Sequence, residues 1–403
     1  MMKLFCICLG FVALPLLARA QVAVSAETIY TMAGPAIQDG VILIRGSKIE
    51  AVGKAPAVTI PNEYRILKAK VVTPGLIDAH TVVGLSGILN QPHDQEQLDM
   101  AGPIQPELRV IDSYNPRDPL VEWVRNFGVT TVHTGHAPGA LISGQTMIVK
   151  TYPNKLDEAV VVPAAMIAAT LGQGATGAGD KPPGTKSKAV AMLRAELVKA
   201  VEYNKKLEKP DPEKRPARDL RLEALTRLLD GKQPLLVTVH RHQDILAVLR
   251  IAAEFKLRLV LDGVADAHLV LDEIKQAGLP VILHPTMSRA NNETENLSFE
   301  TASKLKQANI PFALQSGYEP YVPKTRVVLF EGALTLANGL TFDQALASMT
   351  IDAARLLGVH DRLGSLEPGK DADIALYDGD PFEYASHCVG VIVSGVVVKT
   401  EAH

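Results

Sequence analysis

Cysteine is almost missing from this chain: there are three in 403 residues, and two of them, Cys6 and Cys8, fall in its first eight positions. If those two leave with a leader, Cys388 stands alone and no intramolecular disulfide is available, so a large core has to hold the protein together. Beyond residue 20 there is also no run of eighteen apolar residues. That excludes a membrane-spanning helix and predicts a soluble mature chain. A basic excess is lacking as well. The formal net charge is −3, and it becomes −5 once Lys3 and Arg19 are removed, which speaks against nucleic acid as a partner. The Gly-rich stretch from Gly135 to Ala140 has no Gly-Lys-Ser/Thr ending, so it carries no phosphate site. Ser143 and Ser316 have no base and acid at motif spacing, so a serine-hydrolase reading has no support.

Residues 1–20 read as a signal peptide. Lys3 precedes an apolar run over 4–17, and Ala18-Arg19-Ala20 forms a small-residue cleavage site. Export to the periplasm or the medium is expected, with a mature chain starting near Gln21 and no membrane attachment after cleavage. Both ends of that chain are strand-like and broken by turns. Segments 21–70 and 366–403 are expected to combine into one small β-sandwich domain, because neither has enough strand to bury a core alone. Between them, short apolar runs at 128–134, 235–240, 257–262, 280–284 and 311–315 alternate with helical patterns at 244–255, 265–277 and 299–308 and a helical pair over 326–358. That rhythm predicts βαβ units over 71–365 closing into a distorted (β/α)8 TIM barrel. Further strands are expected at 147–150 and 159–164. A charged helical insertion is expected on the barrel exterior at about 172–230, its Lys and Glu residues forming a solvated face.

The stretch VVTPGLIDAHTVVG at 71–84 reads as a buried strand that delivers Asp78 and His80 to a rim. It strongly resembles the first barrel strand of the amidohydrolase superfamily, whose pattern is PGLIDxHxH. Matching stretches are GVTTV at Gly128, SGQTMIVKT at Ser143, ARDLRLEAL at Ala217, HRHQDILAVLRIAAEF at His240 and RLGSLEPGKDADIALYDGDPF at Arg362. They cover nearly the whole mature chain and resemble the imidazolonepropionase-like and prolidase-like bacterial branch. The resemblance implies hydrolysis of carbon–nitrogen bonds by a water activated on a divalent metal.

The family's ligands are two histidines on the first strand, a lysine on the fourth, one histidine each on the fifth and sixth, and an aspartate on the eighth. By this resemblance His80 and His240 match. Val82 replaces the second histidine, Ile167 the lysine, Gly263 the sixth-strand histidine and Gly317 the aspartate. Two histidines fall short of the three or four protein ligands such sites use, so no cofactor is expected. If one binds, it is a single zinc or manganese ion. His133, His136, Asp262, His284 and Glu319 fall at or beyond predicted strand ends. With His80 and His240 they either line a new site or are rim residues satisfied by backbone. Three functions follow: a protein with a degenerate metal centre that binds a small molecule or peptide, a partner subunit of an active amidohydrolase, or a hydrolase with a rearranged metal site.

Overall fold

A computed structural model of the chain describes residues 21–55, 57–175, 183–284, 290, 292–318 and 327–400. The expected leader at 1–20 lies outside them. The chain opens with β1 (Gln21–Ile29), β2 (Ile37–Arg45), β3 (Lys48–Lys54) and β4 (Arg65–Pro74), and after Gly75 continues as β5 (Leu76–Thr81). Helix α1 (Pro119–Arg125) begins where proline fits the first turn and Asp118 accepts a hydrogen bond from the Leu120 N–H at 2.6 Å. Then come β6 (Val129–Thr134), β7 (Ile142–Gln145), β8 (Met147–Lys150), α2 (Leu156–Ala159), β9 (Val160–Val162) and β10 (Ile167–Thr170). Helices α3 (Lys186–Leu207) and α4 (Leu220–Leu229) lead to β11 (Leu235–Val239), α5 (His242–Phe255), β12 (Leu259–Gly263), α6 (Leu271–Ala277), β13 (Val281–Leu283), α7 (Thr301–Gln307) and β14 (Phe312–Leu314). The chain ends with α8 (Val328–Ala337), α9 (Phe342–Ser348), α10 (Ile351–Leu356), β15 (Ile374–Tyr377), β16 (Cys388–Val393) and β17 (Val396–Lys399).

Three expectations need correction. The helical pair over 326–358 is three helices, because Gly339 ends the first and Thr341 with Gln344 forms a capping box that starts the next. The run 147–150 is not a parallel barrel strand. β7 and β8 form one extended stretch broken at Thr146, antiparallel to β10 on one side and to β6 on the other. The stretch expected as an exterior insertion is the crossover between the parallel neighbours β10 and β11. Leu193, Leu197, Leu225 and Leu228 bury its apolar face in the main core, and its charged face stays outside.

Strands β5 and β6 run parallel, and β10 to β14 form a parallel run. A parallel bridge between Thr81 and Gly317 joins the last of these strands to the first. Side chains alternate along each strand. Ile77, Ile148, Met166, Leu236, Val260, Ile282 and Ala313 meet in one cluster inside the barrel, floored by Ala353, Ala354 and Leu363. The opposite parity, including Leu76, Leu235, Leu261 and Leu283, packs against the helices.

The terminal strands build one seven-stranded sheet in the order β17-β16-β15-β4-β1-β2-β3. It rolls across itself, since Ile49 N–H donates to Lys370 O at 3.0 Å and Ala372 N–H to Ser47 O at 2.9 Å. Val22, Val24, Ile42, Ile44, Ile374 and Ile392 fill the interior of the roll. Barrel and roll are riveted by a buried ion cluster. Lys150, at the end of β8, reaches Asp371 at 2.8 Å, Asp373 at 2.9 Å and the Ser394 hydroxyl at 2.7 Å. Lys48 at 2.7 Å and Arg362 at 2.8 Å complete the surround of Asp371. Burial alone would raise the Asp371 carboxyl, but Lys150 and the hydrogen bonds from Lys150, Lys48 and Arg362 bring it down to about 2.

Removing the ammonium leaves two buried carboxylates short of their countercharge, so Lys150→Met is expected to destabilise the fold by about 3 kcal/mol. An unchanged urea midpoint would refute that role. The depressed Asp371 value lies below the ~3.9 of an unfolded aspartate, so its stabilisation is complete above about pH 5 and is lost as pH falls from about 4 to about 2. The stability gap between the natural chain and Asp371→Asn, measured by denaturant unfolding, should close across that window. A gap independent of pH would contradict it.

Candidate functional site at the barrel mouth

The lumen changes character toward the C-terminal ends of its strands. Along the inward parity, Leu236 is followed by Thr238, Val260 by Asp262, Ile282 by His284 and Ala313 by Gln315. On β5 the alternation is broken. Asp78 pairs with Val132 but Thr81 with Thr134, so three steps of β5 face two of β6. The extra residue is a β-bulge, and it turns His80 into the lumen after Ala79 has already faced inward.

Asp262 is fully buried, and its carboxylate is the centre of the polar layer. It accepts from His80 Nδ1 at 3.1 Å, from Gln315 Nε2 at 2.7 Å and from the Thr238 hydroxyl at 2.6 Å. Burial would raise this carboxyl, yet the His80 imidazole and the hydrogen bonds from His80 and Thr238 hold it below the ordinary aspartate range. An ionised carboxylate only accepts, so His80 donates from Nδ1. Its Nε2 is buried and without a hydrogen-bond partner among the described residues.

The other expected residues divide into two groups. His240 and His284 do reach the mouth, with ring centroids 5.5 Å apart. His133 lies beside His80, centroids 5.7 Å apart, but it is locked. Its Nδ1 donates to Ala79 O at 2.6 Å and its Nε2 accepts from the Thr146 hydroxyl at 2.7 Å. Burial and the neighbouring His80 push it down to about 3, so it is a neutral structural imidazole. His136 is buried against the β7 backbone at Gly144 and is lowered to about 4, mainly by burial. Glu319 lies outside the described residues. Asp78 is not a mouth residue. It accepts from Ser316 N–H at 3.0 Å between the first and last barrel strands, and burial raises it to about 7.

Among the expected substituted ligand positions, Ile167 is misplaced. Its side chain lies in the cluster between strands and helices, and the inward residues of β10 are Ala168 and Thr170. Val82 is fully buried in a small apolar cluster with Ala137 and Tyr318. Gly263 and Gly317 both have positive φ, at 85° and 104°. A Cβ at Gly263 would sit 2.6 Å from His240 Cε1, so no side chain fits there while His240 holds its place. The family's metal needs three or four converging ligands. Among the described residues no three His, Cys, Asp or Glu side chains gather in that way. Val82 offers no donor, Gly263 and Gly317 have no side chain, and His80, with Nδ1 on Asp262, has only Nε2 to offer. Among the described residues the donor set falls short of that metal.

Thr238, Gln315 and Tyr318 escaped the reading of the sequence. The first two are polar residues at inward positions of otherwise apolar strands, a signal that alternation carries. Tyr318 stands just past the last strand, where nothing local marks it. Its hydroxyl lies 3.2 Å from His240 Nε2, and its ring centroid is 5.0 Å from that of His284 and 5.9 Å from that of His80.

A family model described as "Amidohydrolase family" matches residues 318–399. An amidohydrolase of Hapsidospora irregularis is 24% identical over 88% of this chain, and the match spans 39% of that protein's length. An imidazolonepropionase of Brucella anthropi is 25% identical over 85% of this chain and 87% of its own. The crystal structure of an amidohydrolase from Thermotoga maritima MSB8 superposes with a TM-score of 0.86 at 26% identity, covering 94% of this chain and 99% of that one. Together with the barrel strands, the bulged PGLIDAH strand and the returning terminal sheet, these likenesses place the chain in the amidohydrolase superfamily, with its TIM-barrel fold.

Proposed function

We propose that the protein binds a small amide-bearing molecule or a short peptide at the C-terminal mouth of its barrel, without the metal-dependent hydrolysis typical of its superfamily. The carrying observation is the network on Asp262. The first-strand histidine that relatives use for metal is held here by a carboxylate, whose other contacts go to Thr238 and Gln315. A group with a hydrogen to donate, such as an amide N–H, is the natural complement of His80 Nε2, which has no partner among the described residues. Fold analogy alone would favour hydrolysis, and function has to be argued from the site.

A second reading has one observation in its favour. An imidazole whose Nδ1–H is fixed by a buried carboxylate is the arrangement of a general base, so His80 with Asp262 would activate water for carbon–nitrogen cleavage without the family's metal set. Export follows from the leader pattern of 1–20, and the protein recovered from its producing cells is expected to begin near Gln21 by N-terminal sequencing. An intact Met1 on exported protein would refute this.

Calorimetric titration with dipeptides, N-acyl amino acids and cyclic amides, run beside product assays and metal analysis, separates the readings. Binding without turnover is expected, and His80→Ala should weaken it about tenfold, the worth of one hydrogen bond of ~1.4 kcal/mol. Turnover by metal-free protein that His80→Ala abolishes would favour the general-base reading. Stoichiometric zinc or manganese with turnover lost in His80→Ala would overturn both. Inert protein that co-purifies with a relative bearing the full ligand set would make the ligand a partner chain.

A further inference from the structure

Away from the barrel mouth, a cavity of about 810 Å³ lies between the outer helices α1 and α8 and the returning strands of the terminal sheet. Small-molecule sites span roughly 300–1,000 Å³ and favour such boundaries between packed units. The wall is aromatic. Trp123 of α1 meets Phe127 edge-on with ring centroids 5.4 Å apart, and Phe127 meets Phe330 of α8 in the same way, also at 5.4 Å. Phe382 and Tyr384, in the turn between β15 and β16, complete the lining. Trp123, Phe330 and Tyr384 are exposed, and clustered apolar exposure of this kind marks a binding surface. Lys399, the last residue of β17, brings a charge to it. The side chain is half-buried, and its ammonium, which has three hydrogens to donate, gives one to Asn126 O at 2.9 Å. Its other close neighbour is the Cys388 thiol, which burial pushes up to about 11 and which is therefore no countercharge at neutral pH. Among the described residues no carboxylate is within ion-pair distance of Lys399. Glu122 and Glu383 stand on the rim, exposed to water that screens them, and His387 faces Asp378 at 3.4 Å.

We propose that this cavity is a second binding site, separate from the barrel mouth, for a small aryl-alkyl carboxylate, its apolar body lying along Trp123, Phe127 and Phe330 and its carboxylate meeting the Lys399 ammonium. Charge complementarity selects the occupant. A half-buried ammonium gains from a countercharge, and the two hydrogens it does not spend on Asn126 form charge-assisted bonds to a carboxylate. A neutral guest would cover the aromatic wall and leave the ammonium buried without that countercharge, and a cationic guest would add repulsion to the same loss. The site stands independently of the binding reading at the mouth.

Trp123 is the only tryptophan of the chain, so its emission reports on this cavity. Full-length mature protein is titrated with phenylbutyrate, phenylbutanol and phenylbutylamine, which carry an anionic, a neutral and a cationic head on one body. Phenylbutyrate should shift the Trp123 emission saturably and bind at least about tenfold more tightly than the alcohol, with the amine weakest. Lys399→Met should bring the carboxylate down to the level of the alcohol. Phe330→Ala, a change at an exposed side chain, should weaken carboxylate and alcohol alike, and it is the variant to measure if circular dichroism finds Lys399→Met unfolded. His80→Ala should leave the response unchanged, and losing it there would assign the carboxylate to the mouth and overturn the second site. Equal affinity for the three heads, tightest binding of the amine, or a carboxylate preference that survives Lys399→Met would also overturn it. So would an emission that answers none of the probes, including one that shifts only with protein concentration, which would make a second copy of this chain the occupant.

Discussion

A carboxylate with no access to water must be surrounded by donors or by positive charge, and the upper half of this barrel is arranged to meet that requirement at Asp262. Thr238 comes from β11, paired directly with the strand of Asp262, Gln315 follows β14, two strands away on the other side, and His80 arrives from across the lumen. Each of these side chains is held by a strand whose lower part packs into the apolar barrel interior, so the polar layer inherits its precision from the apolar one.

Much of the fold was readable because it rests on local patterns. The 71–84 stretch, the alternation of apolar runs with helical ones and the strand texture of both ends all reflect short-range periodicity. What failed was what periodicity cannot carry. Ile167 fits the fourth strand in sequence, but which face it occupies depends on register against β7 and β11, set by partners distant in the chain. The bulge that turns His80 inward is a property of two strands together and leaves no mark in either alone. Of the antiparallel run of β7 and β8, only 147–150 was legible as strand, and its direction was not, since direction is decided by the turn that precedes it.

The candidate site was legible in its histidines and illegible in their partners. His80, His240 and His284 announce themselves as residues that ligate and titrate. Thr238 and Gln315 matter only because of where they point, and Tyr318 because the chain turns at a glycine. Taken one at a time, Val82, Gly263 and Gly317 only depart from the expected pattern; in the fold, Val82 packs with Tyr318, Gly263 leaves room for His240 and Gly317 takes a positive φ just before Tyr318.

The terminal sheet pairs Pro74 with Ile374 and Thr73 with Ala375, across some three hundred residues of intervening chain. Lys150 finds Asp371 across a comparable gap. Non-local closure of this kind slows folding, since the entropy of bringing the ends together is spent before the contacts return anything. It also has a consequence for synthesis. Until β15 and β16 have left the ribosome, β4 lacks its neighbour, the floor of the barrel has an uncompensated ammonium, and the first strand is anchored on one flank only. A nascent chain lacking its last forty residues therefore holds every mouth residue described above and still has no finished barrel to present them.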